Sequence, residues 1–371
     1  VVAVFLAMVP LGIGRAAYAQ TVGPSVYQWG YTERTITPVA GLPADVVSVQ
    51  AGDWGGMALD ATGHVWDWGY GSQGELGDGL VVNSFNTAVE AKGPHDIVSI
   101  GEGDNYAAAV DRSGNLWVWG YDPQGALCLS HRSMVIRPVK IAGLGATAIA
   151  GGGAHLLILL RNGTVEACGE DKYGQLGDGT IGASSASPVA VAGLSHVVSI
   201  TAGNLFSAAV ESDGSVWTWG YNAYGQLGLG TTTNDDLPQK VPLPLPATEV
   251  YAGGDNWVNG HMVAILSDGA VMAWGNDIWG QLGNRISGAS FSTPQTVDVP
   301  SGVKFAYVAA GGEDTFALDT GGDLWAWGRN TDGELGVAVR GRVVVRPILA
   351  GHGFTMISVT AVEGVGLSSG P

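Results

Sequence analysis

The sequence predicts an all-β ring, a seven-bladed β-propeller of repeats about 50 residues long, closed by an N-terminal strand that completes the C-terminal blade. Three observations carry the prediction. Trp-Gly dipeptides recur at Trp29, Trp68, Trp119, Trp219, Trp274 and Trp327, with Cys168-Gly169 in the one open slot, at intervals of 39 and then 49 to 55 residues. The runs between them are short, alternate with period two and are separated by glycine turns, with no sustained 3.6-residue stripe. The chain of 371 residues holds 60 glycines and 13 tryptophans but only 13% charged residues, against a usual ~25%. Hydrophobic residues reach 46% and mean hydropathy is +0.20, enough for a core, so disorder is excluded for most of the chain. Glycine has no three-residue period, which excludes collagen.

Each unit supplies about four strands in a fixed order. The first ends at Ala-Gly, as in Val197-Val198-Ser199-Ile200-Thr201-Ala202-Gly203, and a short second follows, Ser207-Ala208-Ala209-Val210. A glycine turn then opens the Trp strand, Asp213-Gly214-Ser215-Val216-Trp217-Thr218-Trp219 or Gly322-Asp323-Leu324-Trp325-Ala326-Trp327. Next comes a Gly-x-Leu-Gly turn, intact at Gly74-Glu75-Leu76-Gly77 and Gly174-Gln175-Leu176-Gly177 and degenerate at Gly125-Ala126-Leu127-Cys128. Prolines such as Pro188, Pro238, Pro294 and Pro347 lie beyond it. Paired tryptophans (Trp66 with Trp68, Trp217 with Trp219) share a strand face and are read as packing in the wedge between blades. Met356-Ile357-Ser358-Val359-Thr360-Ala361 starts a seventh unit without its Trp-Gly strand, while Val26-Tyr27-Gln28-Trp29-Gly30 is such a strand without partners. Joined, they make one composite blade that removes the free sheet edges.

These motifs resemble the regulator-of-chromosome-condensation repeat family, whose unit reads Ala-Gly-x-x-His-Ser, then Asp-Gly-x-Val-x-x-Trp-Gly, then Gly-Gln-Leu-Gly. The match runs from about Val26 to Leu367 and is specific for fold rather than function. The resemblance implies a seven-bladed propeller and, among family roles, nucleotide exchange on a nuclear GTPase, ultraviolet-B reception or inhibition of β-lactamases. The family histidine survives here only as His155 and His261; Gly55, Tyr106, Phe206 and Asp314 stand in its place elsewhere. The arginine-tryptophan motif of the light receptor is missing at Trp54-Gly55 and Trp257-Val258. Trp257 to Gly260 reads as an insertion, and the first Trp-Gly unit lacks the Gln-Leu-Gly turn.

Val1 to Ile13 is apolar and Ala17-Tyr18-Ala19 is a small-residue cleavage site, so residues 1–19 read as a secretory signal and 20–371 as a single propeller, secreted or periplasmic. No later stretch is long and apolar enough for a spanning helix, so no membrane span is expected after signal removal. A net charge of −17 with 16 Lys and Arg argues against nucleic acid as a partner. Cys128 and Cys168 are the two cysteines; an exported chain allows a disulfide, but buried thiols are the favoured expectation.

The seven histidines show no His-x-x-x-His spacing, no nucleophile elbow is present, and the glycine-rich stretches lack a phosphate-loop lysine. No catalytic residue, cofactor or metal site is assigned, and Asn234-Asp235-Asp236 reads as a solvated loop. The sharper candidate is one rim. The turns after each Ala-Gly share one end of the ring and read Asp53-Trp54, Asp104-Asn105-Tyr106, Ala154-His155, Asn204-Leu205-Phe206, Asp255-Asn256-Trp257 (followed by His261) and Glu313-Asp314. Acidic groups alternating with exposed aromatics suit a protein partner with a basic or apolar anchor. The competing reading is that Asp and Asn make turn hydrogen bonds while the aromatics plug the channel. Trp54 and Trp257 are favoured over Tyr106 and Phe206 because they lie outside the aligned histidine position. Trp279 recurs as Tyr173 and Tyr224 and reads as structural. The expectation is therefore a monomeric, non-enzymatic scaffold for protein–protein interaction, with an enzyme inhibitor, a carbohydrate-binding propeller or an exchange-type regulator as alternatives.

Overall fold

Val, Ala and Trp alternating with polar residues give each unit one buried and one covered strand face, and every unit folds as a four-stranded antiparallel sheet. The computed structural model describes residues 25–30, 36–52, 54–122, 124–130, 134–254, 259–331, 333–337, 343–360 and 363–368. The proposed signal, residues 1–19, lies outside them. The first blade runs from inside to outside through Val46–Gly52, Gly55–Asp60, Val65–Gly69 and Ser84–Glu90. Five more follow in the same order, with inner strands Ile97–Glu102, Ala146–Gly151, Val197–Ala202, Ala247–Gly254 and Phe305–Ala310. Among the described residues there is no helix.

The seventh blade is composite, as expected. Its sheet runs Phe354–Val359, Glu363–Ser368, Ser25–Gly30, Thr37–Pro38, with Ser25 opposite Ser368 and Trp29 opposite Gly364. Closure continues into the first blade. Ser358 Oγ accepts the Ala51 N–H at 3.0 Å, Thr360 Oγ1 donates to the Gly52 carbonyl at 3.1 Å, and Gln28 Nε2 donates to Asn86 Oδ1 at 2.8 Å. The seven blades thus form a ring with seven junctions.

At most junctions the second tryptophan of one blade lies under the Gly-x-Leu-Gly turn of the blade before it. The indole Nε1 of Trp219, Trp274 and Trp327 donates to the carbonyls of Gln175, Gln226 and Gln281 at 2.9–3.0 Å. These indoles are buried, as are Trp29, Trp68 and Trp119. The closing glycine of the turn touches the same ring: a Cβ on Gly177 would sit 2.7 Å from Trp219 Nε1, and one on Gly228 2.6 Å from Trp274 Nε1. Only a residue without a side chain fits there. Turn glycine and following tryptophan are therefore a contacting pair.

That contact corrects the reading of the cysteines as buried thiols. Between the second and third blades the turn glycine is Cys128, at φ 53°, and the tryptophan is Cys168. The two are joined by a disulfide with Cα atoms 5.6 Å apart. Both partners of one recurring contact have changed together, and the covalent bond takes the place of the glycine–indole contact.

A candidate binding face around the first junction

In every blade the turn after the inner strand and the long loop after Trp-Gly emerge at the same end of the ring, because antiparallel strands return there after two crossings. The residue opening the second strand, in the family's histidine place, is paired across the sheet with the glycine of Trp-Gly: Tyr106 with Gly120, His155 with Gly169, Phe206 with Gly220, His261 with Gly275, Asp314 with Gly328. Each is buried. Tyr106, His155 and Phe206 each reach over a glycine of their own blade, Gly103, Gly152 and Gly203. The Tyr106 hydroxyl donates to the carbonyls of His155 and Gly152. A Cβ on Gly203 would fall 2.2 Å from the Phe206 ring.

The histidines are tied in the same way. His155 Nε2 lies 2.9 Å from Ser207 Oγ, and that hydroxyl donates to the Gln175 carbonyl at 2.8 Å. His261 Nε2 meets Thr315 Oγ1 at 2.8 Å, which donates to Gln281 at 2.7 Å. Each hydroxyl has one hydrogen and gives it to a carbonyl, so the Nε2 tautomer is inferred, with the imidazole donating. Burial lowers the His155 pKa to about 4 and that of His261 to about 3, so both are neutral. The expectation of exposed rim groups at Tyr106, His155, Phe206, His261 and Asp314 is corrected: all five side chains are buried pegs. Burial, followed by Glu334 and Glu313, also pushes the Asp314 carboxyl well above its ordinary range.

The remaining candidates stay at the surface or fall outside the described residues. Trp54 is 37% exposed and Asn105 is exposed; Asp104, Asn204 and Glu313 are half-buried. Asp53, Asp255, Asn256 and Trp257 lie outside the described residues. Asn204 Nδ2 stands 3.3 Å from an Asp104 carboxylate oxygen across the mouth of the bore, which holds a cavity of about 170 Å³. Glu313 is held by its own chain. Its Oε2 accepts Arg329 Nη1 at 2.6 Å, its Oε1 accepts Trp279 Nε1 at 2.9 Å, and the guanidinium lies 5.4 Å from the Trp279 ring centre. In the equivalent place Tyr173 packs on Tyr221 with centroids 4.7 Å apart, so the structural reading of Trp279 holds.

The first junction differs because its peg is Gly55. With no side chain there, a cleft of about 290 Å³ remains between the first and second blades. Trp54, Tyr70 and Glu75 line it from one side, Glu102, Asp104 and Tyr106 from the other. Glu102 is itself a departure, since that register position is Ala51, Gly151, Ala202, Ala252 and Ala310 in other blades. Deeper in the first blade Asp67 stands where sister strands have Val118, Ala167, Thr218, Ala273 and Ala326, none of them charged. It is fully buried, and burial together with the Glu102 charge raises its pKa well above the ordinary range. The sequence contained the signal for this site, a glycine at a peg position with two carboxylates at small-residue positions, and reading the rim as a ring of equivalent turns passed over it.

A closed ring of four-stranded sheets with hydrogen-bonded junctions and loops gathered at one end defines a β-propeller. The chain belongs to the RCC1 repeat family: the profile of the Regulator of chromosome condensation (RCC1) repeat matches residues 162–210, 213–258 and 268–318, and a second profile of that description matches 197–226 and 305–334. The chain is similar to the RCC1 domain-containing protein RUG3, mitochondrial, of Arabidopsis thaliana, at 30% identity over 313 residues, 79% of this chain and 67% of the relative. It is similar to the Ultraviolet-B receptor UVR8 of the same plant at 29% identity, over 81% of this chain and 68% of the relative. Among solved structures, Prp20p from Saccharomyces cerevisiae, described with its binding to Gsp1p and histones, superposes with a TM-score of 0.82 at 20% identity, over 95% of this chain and 93% of that one. Propellers of this family generally serve as protein-interaction or regulatory scaffolds.

Proposed function

We propose that this chain is an exported, non-enzymatic scaffold that binds a protein partner through the loop end of its ring. The observation that carries the reading is the collection, at one end, of exposed or half-exposed Trp54, Asn105, Asp104, Asn204 and Leu205 over a floor of buried pegs. Rigid elements thus hold an amphipathic surface, as interfaces need. The histidines best placed for acid–base chemistry are sealed, neutral and committed to blade junctions, which favours binding over catalysis. The apolar leader Val1 to Ala19 and the Cys128–Cys168 disulfide both favour an exported, oxidising location.

The test is capture from the native secretome followed by mass spectrometry, with two variants in parallel. Trp54→Ala/Leu205→Arg alters the loop end, while Ala61→Arg/Ser212→Arg alters exposed hairpin turns at the opposite end. The loop-end variant is expected to lose a specific protein that the opposite-end variant retains. Retention by the loop-end variant with loss by the other would sink the proposal.

A further inference from the structure

We propose that the cleft between the first and second blades, with the apolar ladder beside it, seats a lysine or arginine side chain carried on an otherwise apolar segment of the partner. The inference rests on the binding role proposed above and names its chemistry. Shape comes first: at other described junctions a side chain such as Tyr106, His155 or Phe206 fills this place, whereas Gly55 leaves it open. A Cβ on Gly55 would meet the Trp68 carbonyl oxygen at 2.0 Å, so the backbone has closed in and excludes a peg of its own.

Charge comes second. Glu75, Glu102 and Asp104 all line the cleft, and no lysine or arginine is among its described lining residues. The Arg137 guanidinium packs over Gly79, which does not line the cleft. A cation entering would find carboxylates on both walls and the Trp54 and Tyr70 rings, the combination that favours ammonium or guanidinium groups. The same face already shows this chemistry within the chain, where Arg329 lies over Trp279 and against Glu313.

The ladder gives the third argument. Trp54 meets Tyr70 edge-on at 5.5 Å, and Tyr70 meets Phe85 edge-on at 5.2 Å. Tyr70 and Phe85 are exposed, and so are Leu80, Val81 and Val82 on the adjoining loop. An apolar patch leading out of an acidic cleft fits a segment with a basic anchor and apolar neighbours, and charge complementarity selects it over a second copy of this chain, whose net charge is −17.

The experiment uses fluorescence polarisation with labelled, capped nonapeptides of alternating leucine and serine, the central residue being Lys, Arg, Gln or Glu. Lys and Arg peptides are expected to bind roughly tenfold more tightly than Gln or Glu peptides. Glu75→Gln/Glu102→Ala should abolish that preference. Both substitutions install what sister blades carry: Gln175, Gln226 and Gln281 accept through Oε1 the turn N–H that Glu75 accepts through Oε2, and Ala202, Ala252 and Ala310 match Glu102. The fold is therefore retained, which an unchanged thermal melt verifies. Tyr70→Asn/Phe85→Ala should weaken all four peptides while keeping Lys above Glu. Equal binding of Lys and Glu peptides, or a preference that survives Glu75→Gln/Glu102→Ala, overturns the inference. If secretome capture still depends on the loop end in that event, the broader binding role stands without the cationic anchor.

Discussion

Ser207 and Thr315 are small residues whose worth lies in one hydrogen each. Ser207 links His155 of the third blade to the Gln175 carbonyl of its loop, so Ser207→Ala strips a buried imidazole of its acceptor. A loss of about 1–3 kcal/mol is expected in urea denaturation. His155→Phe/Ser207→Ala should recover part of it, because Phe206 already fills the next junction without a hydrogen bond. Glu249, on the fifth inner strand beside Tyr251, gives the pH-dependent counterpart. Burial raises its pKa to about 7 from an ordinary 4.5. Its proton is held in the folded state and released in the unfolded one across that window, so its contribution is favourable below about 4.5 and fades as pH rises through 7. Asp171 and Asp277, each raised to about 6 chiefly by burial, act in the same direction. Glu249→Gln should flatten the fall in stability between pH 4.5 and 7.5 by on the order of 2 kcal/mol, measured by melts across that range. A slope unchanged from the native protein would contradict this.

At the level of elements, the junction between the second and third blades is the one held covalently. Cys128→Ser/Cys168→Ser removes both the cross-link, which spans a sequence separation of 40, and the contact it replaced. A loss of about 2–4 kcal/mol is expected, and a reductant should lower the melting temperature of the native protein but not of the variant. The same junction shows what a sequence reading misses. Strands, Trp-Gly marks and the composite blade were legible because they repeat within one chain segment and follow a period of two. The disulfide was not, although both substitutions were visible, because only the ring places a turn glycine against the following blade's tryptophan. Tyr106 and Phe206 were misread for a related reason: their burial is decided by the Gly152 carbonyl or by Gly260 of the next blade, not by their own turns. Trp54, favoured over them in the sequence, is 37% exposed.

At the scale of the whole molecule, the seam can be moved. Ser25 and Ser368 face each other at one end of a strand pair, so a short turn joining them allows new termini elsewhere. A permutant opened at the exposed Ala61-Thr62 turn splits the first blade and leaves a composite sheet across its seam. One opened at Ala192-Gly193, between the third and fourth blades, leaves a seam with no strand pairing, crossed by packing and by separate hydrogen bonds such as the Gly153 N–H to the Asn204 carbonyl at 3.0 Å. The first should melt several degrees higher than the second in calorimetry. Equal melting temperatures would mean that strand pairing adds nothing to closure.

The composite blade also orders events in time. Ser25–Gly30 pairs with Glu363–Ser368, so the strand synthesised earliest among those described waits for one of the last. Until then Trp29 lacks Phe354 and Gly364, and an unpaired edge with an uncovered indole stands open while six blades assemble behind it. Contacts this distant in sequence slow folding. Closure that leaves Ser25–Gly30 paired on both sides in the native state therefore leaves its edge open while the other blades form, so the yield of folded chain depends on keeping that strand from pairing elsewhere until its partner arrives.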